Sequence, residues 1–309
     1  MLKLKKWIML LIVFMLAGCE PTEEPHPTGS AGNEGLGQGS GVHPAKQKKD
    51  DNQTNQKPDA EVQTVLVEED QVRRGNLVLV NKEFKLDAGA VPSDIVNLND
   101  TPELLQGYVL LDNSIRLSRQ VAEQFNGMME AAAEDGVVHF MLSSGYRDME
   151  EQEQLYREKG ADYALPAGYS EHNLGLSMDI GSTQMPIDQS PEGKWLQEHA
   201  WKHGFILRYP KDKTEITGIQ YEPWHFRYVG LPHSLIMEEK RFTLEEYLMF
   251  LKKEKAYSTT VEGQQYDIRY VPVANGGTVI ELPQNSQYEL SGSNMDGVIV
   301  TVKRSGGDR

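Results

Sequence analysis

The sequence predicts an α+β fold carrying a small C-terminal β appendage, and three features support that expectation. Val121, Phe125, Met128, Met129 and Ala132 recur at helical spacing, whereas residues 137–142 (VVHFML) form a short apolar run that follows a glycine, as a buried strand does. From Tyr257 onward the texture changes to β-type runs broken by Asn275-Gly276-Gly277 and Ser291-Gly292-Ser293. With 309 residues, 39% of them hydrophobic, and four tryptophans, the chain can bury one catalytic-sized core with smaller attachments. A net charge of −15 with no basic stripe repels a phosphate backbone, which excludes nucleic acid as a partner.

At the N-terminus Lys3, Lys5 and Lys6 precede a short apolar run, residues 7–16, in the layout of an export signal. The run is too short to span a bilayer comfortably. A single short anchor helix is the plainer reading, but the run ends in Leu16-Ala17-Gly18-Cys19, which resembles the lipobox of bacterial lipoproteins. That resemblance implies a signal peptide over 1–18, cleavage before Cys19, and lipidation of its thiol, so that acyl chains hold the mature protein on the outer face of a membrane. Cys19 is the only cysteine, so once modified it leaves no thiol for disulfides or catalysis, and a metal site must use histidines and carboxylates.

A disordered tether is expected over 19–75, because its first part is Gly, Pro, Ser, Asn, Gln and Lys with almost no large apolar side chain to bury. About 40 flexible residues would hold a domain roughly 35 Å from a surface. The catalytic region is then expected over 76–255 and the appendage over 256–309. Its elements follow in order. Residues 77–81 (LVLVN) read as a strand, and the helix behind Ser118 stops at Gly136. The strand at 137–142 delivers the chain into Ser143-Ser144-Gly145-Tyr146-Arg147. Asp148 and Glu151 form a capping-box pattern for a helix over 149–158 with Leu155 inward. A Gly- and Pro-containing loop, 160–169, leads to a strand at 176–180 and a helix at 195–203 that Gly204 stops. Strands at 205–209 and 221–228 complete the core, and Thr243 with Glu246 caps a closing helix, 244–255. The appendage has β-runs at 266–273, 278–282 and 297–302, and no internal repeat is present.

The chemistry centres on SEHNLGLSMDI, residues 170–180. Catalytic zinc takes three protein ligands, for which imidazole nitrogen and carboxylate oxygen both serve. His172 and Asp179 are seven apart, so a turn at 173–175 must fold the histidine back over the strand that presents the aspartate, and Gly175 suits such a turn. Ser177 and Asp179 share one strand face, with Met178 and Ile180 toward the core. On its own this stretch also serves a turn histidine and a strand-end aspartate satisfied by backbone donors. The third ligand appears in YEPWH, where Pro223 marks an edge position or kink that can bring Glu222 and His225 together. Glu222 would then stand beside the metal's water, where a general base is needed. His199 and His203 share a helix face at i and i+4, but no glutamate follows the first, and they read as a polar face. His139 reads as packing, His26 and His43 as solvated tether residues, and His233 as a helix cap or a support for the site.

SEHNLGLSMDI and YEPWHFRYVG, preceded by SSGYR, resemble the VanY-type D-alanyl-D-alanine carboxypeptidases, zinc peptidases of the LAS group that trim peptidoglycan stem peptides. The resemblance spans about 104–255, and SxHxxGxxxD together with ExWH is far more specific than either half. It implies a small antiparallel sheet flanked by helices, with His172, Asp179 and His225 binding Zn²⁺, Glu222 as catalytic base and Arg147 steadying the oxyanion. Gln152 and Ser170 match positions that hold the substrate's terminal carboxylate or backbone, and Tyr209 matches a tyrosine lining the pocket. Ser177 stands where relatives often have alanine, and Asn173-Leu174 where many have Gln-Thr. An arginine in Arg147's place also reads as a surface ion pair, yet its position after a strand, at a Gly turn, favours the site.

The resemblance implies removal of the C-terminal D-alanine from stem peptides. L,D-carboxypeptidase action on tetrapeptide stems is the alternative within enzymes, and a non-catalytic wall-binding lipoprotein the alternative outside them. D-alanyl-D-alanine dipeptidases belong to another branch of the group. Glu222 discriminates against the binding protein, since an inactive descendant has no chemical reason to keep it beside all three ligands.

Overall fold

A computed structural model describes residues 61–161 and 163–304. The expected signal peptide, Cys19 and the part of the expected tether before residue 61 lie outside the described residues. Among those described, no helix is long and apolar enough to cross a membrane.

The chain begins with β1 (Val62–Val67), which pairs antiparallel with β11 (Thr278–Pro283). The expected tether, 19–75, therefore ends too late: Val65 and Val67 give this stretch enough apolar surface to join a cluster with Ile280 and Leu282. The strand expected at 77–81 is also absent. Leu77, Val78, Leu79 and Val80 are fully buried, but their backbone forms no ladder; Leu77 N–H donates to Ser291 Oγ and Leu79 N–H to Ser293 O. The segment is a strap whose side chains alternate between two cores, Val78 and Val80 entering one and Leu77 and Leu79 the other.

The short strands β2 (Ile95–Asn97) and β4 (Arg116–Ser118) pair with each other, and between them in sequence lies β3 (Tyr108–Leu110). Ser118 caps α1 (Arg119–Glu134), which buries the apolar stripe expected of it. Then come β5 (Phe140–Ser144) and α2 (Met149–Lys159), the latter with the full capping box of Asp148 and Glu151. After these follow β6 (Ser177–Ser182), α3 (Pro191–His199), β7 (Phe205–Leu207), α4 (Thr214–Thr217) and β8 (His225–Tyr228). The central sheet has the order β3-β5-β6-β8-β7. Three of its pairings are antiparallel as expected, but β3 and β5 run parallel, which β4 and α1 permit by supplying the long crossover. Residues 221–224 form a turn rather than the expected first half of β8.

Two further helices, α5 (His233–Lys240) and α6 (Leu244–Glu254), lead into β9 (Ala256–Val261), β10 (Gln264–Pro272), β11, β12 (Gln287–Gly292) and β13 (Gly297–Lys303). The last sheet has the order β12-β13-β10-β9. It does not hang apart from the catalytic region: Ile236, Met237, Tyr247, Leu248 and Leu251 of α5 and α6 form one core with Ile268, Tyr270 and Ile299. The break expected at 255/256 thus falls inside a hydrophobic cluster.

Candidate active site

The register of β6 against β8 builds the centre of the site. Asp179 lies directly opposite His225, and Ser177 opposite Arg227. Residues so placed project from one face within a few ångströms of each other. Met178 and Ile180 point the other way, into the main core.

His172 arrives from a 3₁₀ turn, Glu171–Leu174, that Ser170 caps by accepting from His172 N–H, and that Gly175 ends at φ 71°. Asn173 fixes this turn to its surroundings. Its amide donates to Arg147 O at 2.7 Å, and its carbonyl oxygen accepts from Gly168 N–H at 2.9 Å. Arg147 N–H in turn donates to His172 O. Because a carbonyl only accepts, His172 Nδ1 must carry the proton in its 2.7 Å contact with Gly145 O, which leaves Nε2 as the free lone pair. That nitrogen lies 3.4 Å from Asp179 Oδ2. His225 Nδ1 lies 3.1 Å from Asp179 Oδ1, and the two imidazoles meet edge-on with centroids 4.9 Å apart.

One ligand atom from each of His172, Asp179 and His225 lies within 4.8 Å of the other two, so the three can share one ion. Two imidazoles and a carboxylate form a donor set that suits zinc. Glu222 Oε2 stands 3.7 Å from His225 Nδ1. The kink expected at Pro223 is a tight turn, in which His225 N–H donates to Glu222 O and Glu222 N–H to Tyr209 O.

The remaining expected residues are placed as follows. Arg147, half-buried, donates through Nη1 to Ser144 Oγ (2.5 Å) and through Nε to Gln152 Oε1 (2.8 Å). Gln152 is buried, and its amide nitrogen donates to Leu165 O, so both of its polar ends are taken up in holding Arg147 and the 160–169 loop. Tyr209 is buried with its ring 4.9 Å from that of His225. His199 stacks on Trp195, and His233 is buried against Tyr247 and Thr301; neither joins the site.

The electrostatics are polarised. Burial pushes the Glu222 carboxyl above its ordinary value, and the charge of Asp179 adds to this. Burial acts on Asp179 in the same sense, but His172 and His225 outweigh it and hold that group well below the usual carboxylate range. Burial and Arg147 lower His172, whereas at His225 the negative charges of Asp179 and Glu171 overcome burial and raise it to about 9.

Sequence reasoning missed the layer beneath. Glu171, Arg208 and Arg227 are all fully buried, with Glu171 Oε1 accepting from Arg208 Nε and Arg227 Nη1, both at 2.8 Å. Burial works against ionisation of Glu171, but the two guanidinium groups outweigh it and keep the group well below its ordinary value. The one available signal was the presence of arginines inside strand runs, in LRYP and HFRY.

A family model described as VanY, D-alanyl-D-alanine carboxypeptidase, matches residues 114–231. A D-alanyl-D-alanine carboxypeptidase of Enterococcus faecium is 57% identical over 236 residues, covering 76% of this chain and 78% of its own. The putative carboxypeptidase YodJ of Bacillus subtilis is 34% identical over 191 residues, 57% of this chain and 68% of its own. Among solved structures, the vancomycin-resistance D,D-dipeptidase VanXYg, in complex with a D-Ala-D-Ala phosphinate analogue, is similar with a TM-score of 0.68 at 34% identity. The match covers 79% of this chain and all of that one. The matched stretch contains each of the three candidate ligand positions, Glu222 and Arg147, and with the extent of the Enterococcus faecium match it places this chain in the VanY family of D-alanyl-D-alanine carboxypeptidases.

Proposed function

We propose that this protein is a zinc carboxypeptidase that removes the terminal D-alanine from peptidoglycan stem peptides. The observation that carries the reading is the convergence of His172, Asp179 and His225 on one point with Glu222 beside it. These three residues would hold the metal. Bound zinc supplies Lewis acidity, making water a nucleophile near neutral pH and polarising the scissile carbonyl. Glu222 takes a proton from the attacking water and delivers one to the D-alanine nitrogen as the C–N bond breaks. Its elevated proton affinity suits both halves of that transfer. Arg147, braced by Ser144 and Gln152, sets a fixed positive charge where the carbonyl oxygen becomes negative. By the resemblance, Ser170 would hold the substrate's terminal carboxylate or backbone and Tyr209 would line the pocket, while Gln152 acts chiefly through Arg147.

The substrate lies outside the cytoplasm, and the lipobox-like run ending at Cys19 supports a lipid anchor on the outer membrane face. A second reading, hydrolysis of free D-Ala-D-Ala, is favoured by the structural likeness to a D,D-dipeptidase over that protein's whole length.

Purified protein is expected to convert pentapeptide stems to tetrapeptides plus D-alanine. A chelator should abolish this, and Glu222→Ala should keep its zinc while losing turnover. Mass spectrometry of pentapeptide, tetrapeptide and free dipeptide substrates separates the readings. Shortening of the tetrapeptide alone would make the enzyme an L,D-carboxypeptidase, and cleavage of the dipeptide alone a dipeptidase. In cells, Cys19→Ala should move the protein from the membrane to the medium; continued membrane attachment would refute the anchor.

A further inference from the structure

We infer that Glu171 is a positioning residue for His225: it receives the Nε2 proton of that imidazole and thereby presents Nδ1 to the metal. The inference rests on the zinc reading above and adds to it the origin of the His225 tautomer. His225 is buried, and its Nε2 has no hydrogen-bond partner at bonding distance among the described residues. A buried imidazole N–H left without an acceptor is costly. Glu171 Oε2 stands 3.5 Å away, on the ring edge opposite Asp179 and Glu222.

The way Glu171 is held makes this more than an ion cluster that happens to lie nearby. Both arginines bind the same oxygen, Oε1, while Oε2 receives only Ser177 Oγ (3.0 Å) and is left facing His225. Arg208 is also clamped by both oxygens of Glu245, at 2.9 and 2.6 Å, so two acids and two guanidinium groups balance in charge. A buried carboxylate in such a balanced cage remains an acceptor and has no freedom to turn away. Arg227 is itself fixed by Asn76 O and Val78 O of the strap. The strap, the cage and the metal ligand thus form one connected support, and outer carboxylates of this kind set the orientation and basicity of a metal-binding imidazole.

The informative substitution is Glu171→Gln. With the two arginines claiming the amide oxygen at the Oε1 position, the NH₂ group is forced to the Oε2 position, where it opposes the His225 Nε2–H donor to donor. Zinc transfer from the full-length variant to a colorimetric chelator is expected to be about 10- to 100-fold faster than from the parent. The value of kcat should fall while KM stays within about twofold, a split that loss of packing alone would not produce. Long-range ¹⁵N–¹H correlation of the histidines in the zinc-loaded parent should show His225 protonated at Nε2. A folded Glu171→Gln protein that holds zinc like the parent overturns the inference, as does a parent spectrum with Nε2 unprotonated. If the variant does not fold, the parent spectrum alone decides. Failure of the parent itself to bind zinc would instead overturn the reading on which this one rests.

Discussion

Arg147 is the residue whose role depends most on being held still. Its Nε and Nη1 go to two different side chains, Gln152 and Ser144, so the guanidinium plane is set by the protein before substrate arrives. Burial lowers its proton affinity, opposed by the charges of Asp179 and Glu222, but a guanidinium stays charged at any working pH. A lysine cannot replace it, because a single ammonium cannot satisfy two separated acceptors and still face the reacting oxygen. Arg147→Met is therefore expected to lower kcat by about 10²- to 10³-fold, the usual cost of losing one oxyanion donor, with zinc content unchanged. Steady-state kinetics beside metal analysis checks it: a loss below tenfold would remove Arg147 from the reaction. Glu171 sits two residues before Asn173 in the same turn and is buried more completely than any of the three candidate ligands.

At the scale of elements, the turn at 171–175 and the β6/β8 register decide whether the ligands meet. The turn ends at Gly175, whose φ of 71° is strained for any residue with a Cβ. A Cβ there would also press on Ile95 Cδ1, although the tip of an isoleucine can swing away. Gly175→Ala is expected to cost about 1–2 kcal/mol, mostly from the backbone, lowering Tm by several degrees. Gly175→Asn should cost less, since asparagine tolerates this region; equal melting temperatures for all three proteins would show the turn to be unstrained. This turn, the capping boxes at Asp148 and Thr243, and the stripe of α1 were legible because each is written within a few consecutive residues. So was the candidacy of His172, Asp179, Glu222 and His225, through spacing and resemblance, and the structure brings these four together. The pairing of Asp179 with His225 was not, since register is set by partners 46 residues apart. Neither was the cage around Glu171, whose members come from one turn, β6, β8, the residue that follows β7, α6 and the strap. Residues 77–80 alternate like a strand because they separate two cores, and pattern alone does not distinguish that from a ladder.

For the whole molecule, the question is how the C-terminal sheet is fastened to the helices that precede it, and His233 lies at that joint. Its Nδ1 meets Tyr247 Oη at 2.8 Å in α6, and its Nε2 meets Thr301 Oγ1 at 3.1 Å in β13. Burial pushes the imidazole down to about 3, so the folded protein keeps it neutral where an unfolded chain would bind a proton. The sign follows from linkage: between about 6.5 and 3 the unfolded state holds the extra proton, so stability falls as the pH is lowered through that window. For this one group the slope approaches about 1.4 kcal/mol per pH unit once the pH is well below 6.5. His233→Gln keeps polar atoms at the joint but removes the titration. At pH 7 the variant should be less stable by about 1–3 kcal/mol, from imperfect replacement of two buried hydrogen bonds. On acidification the gap should narrow, because only the parent carries the His233 penalty. Urea unfolding of both proteins from pH 7.5 to pH 4.5 measures the difference directly. Curves that stay parallel would mean that His233 is protonated or solvated in the folded state, and that the sheet and helices are not locked together through a neutral imidazole.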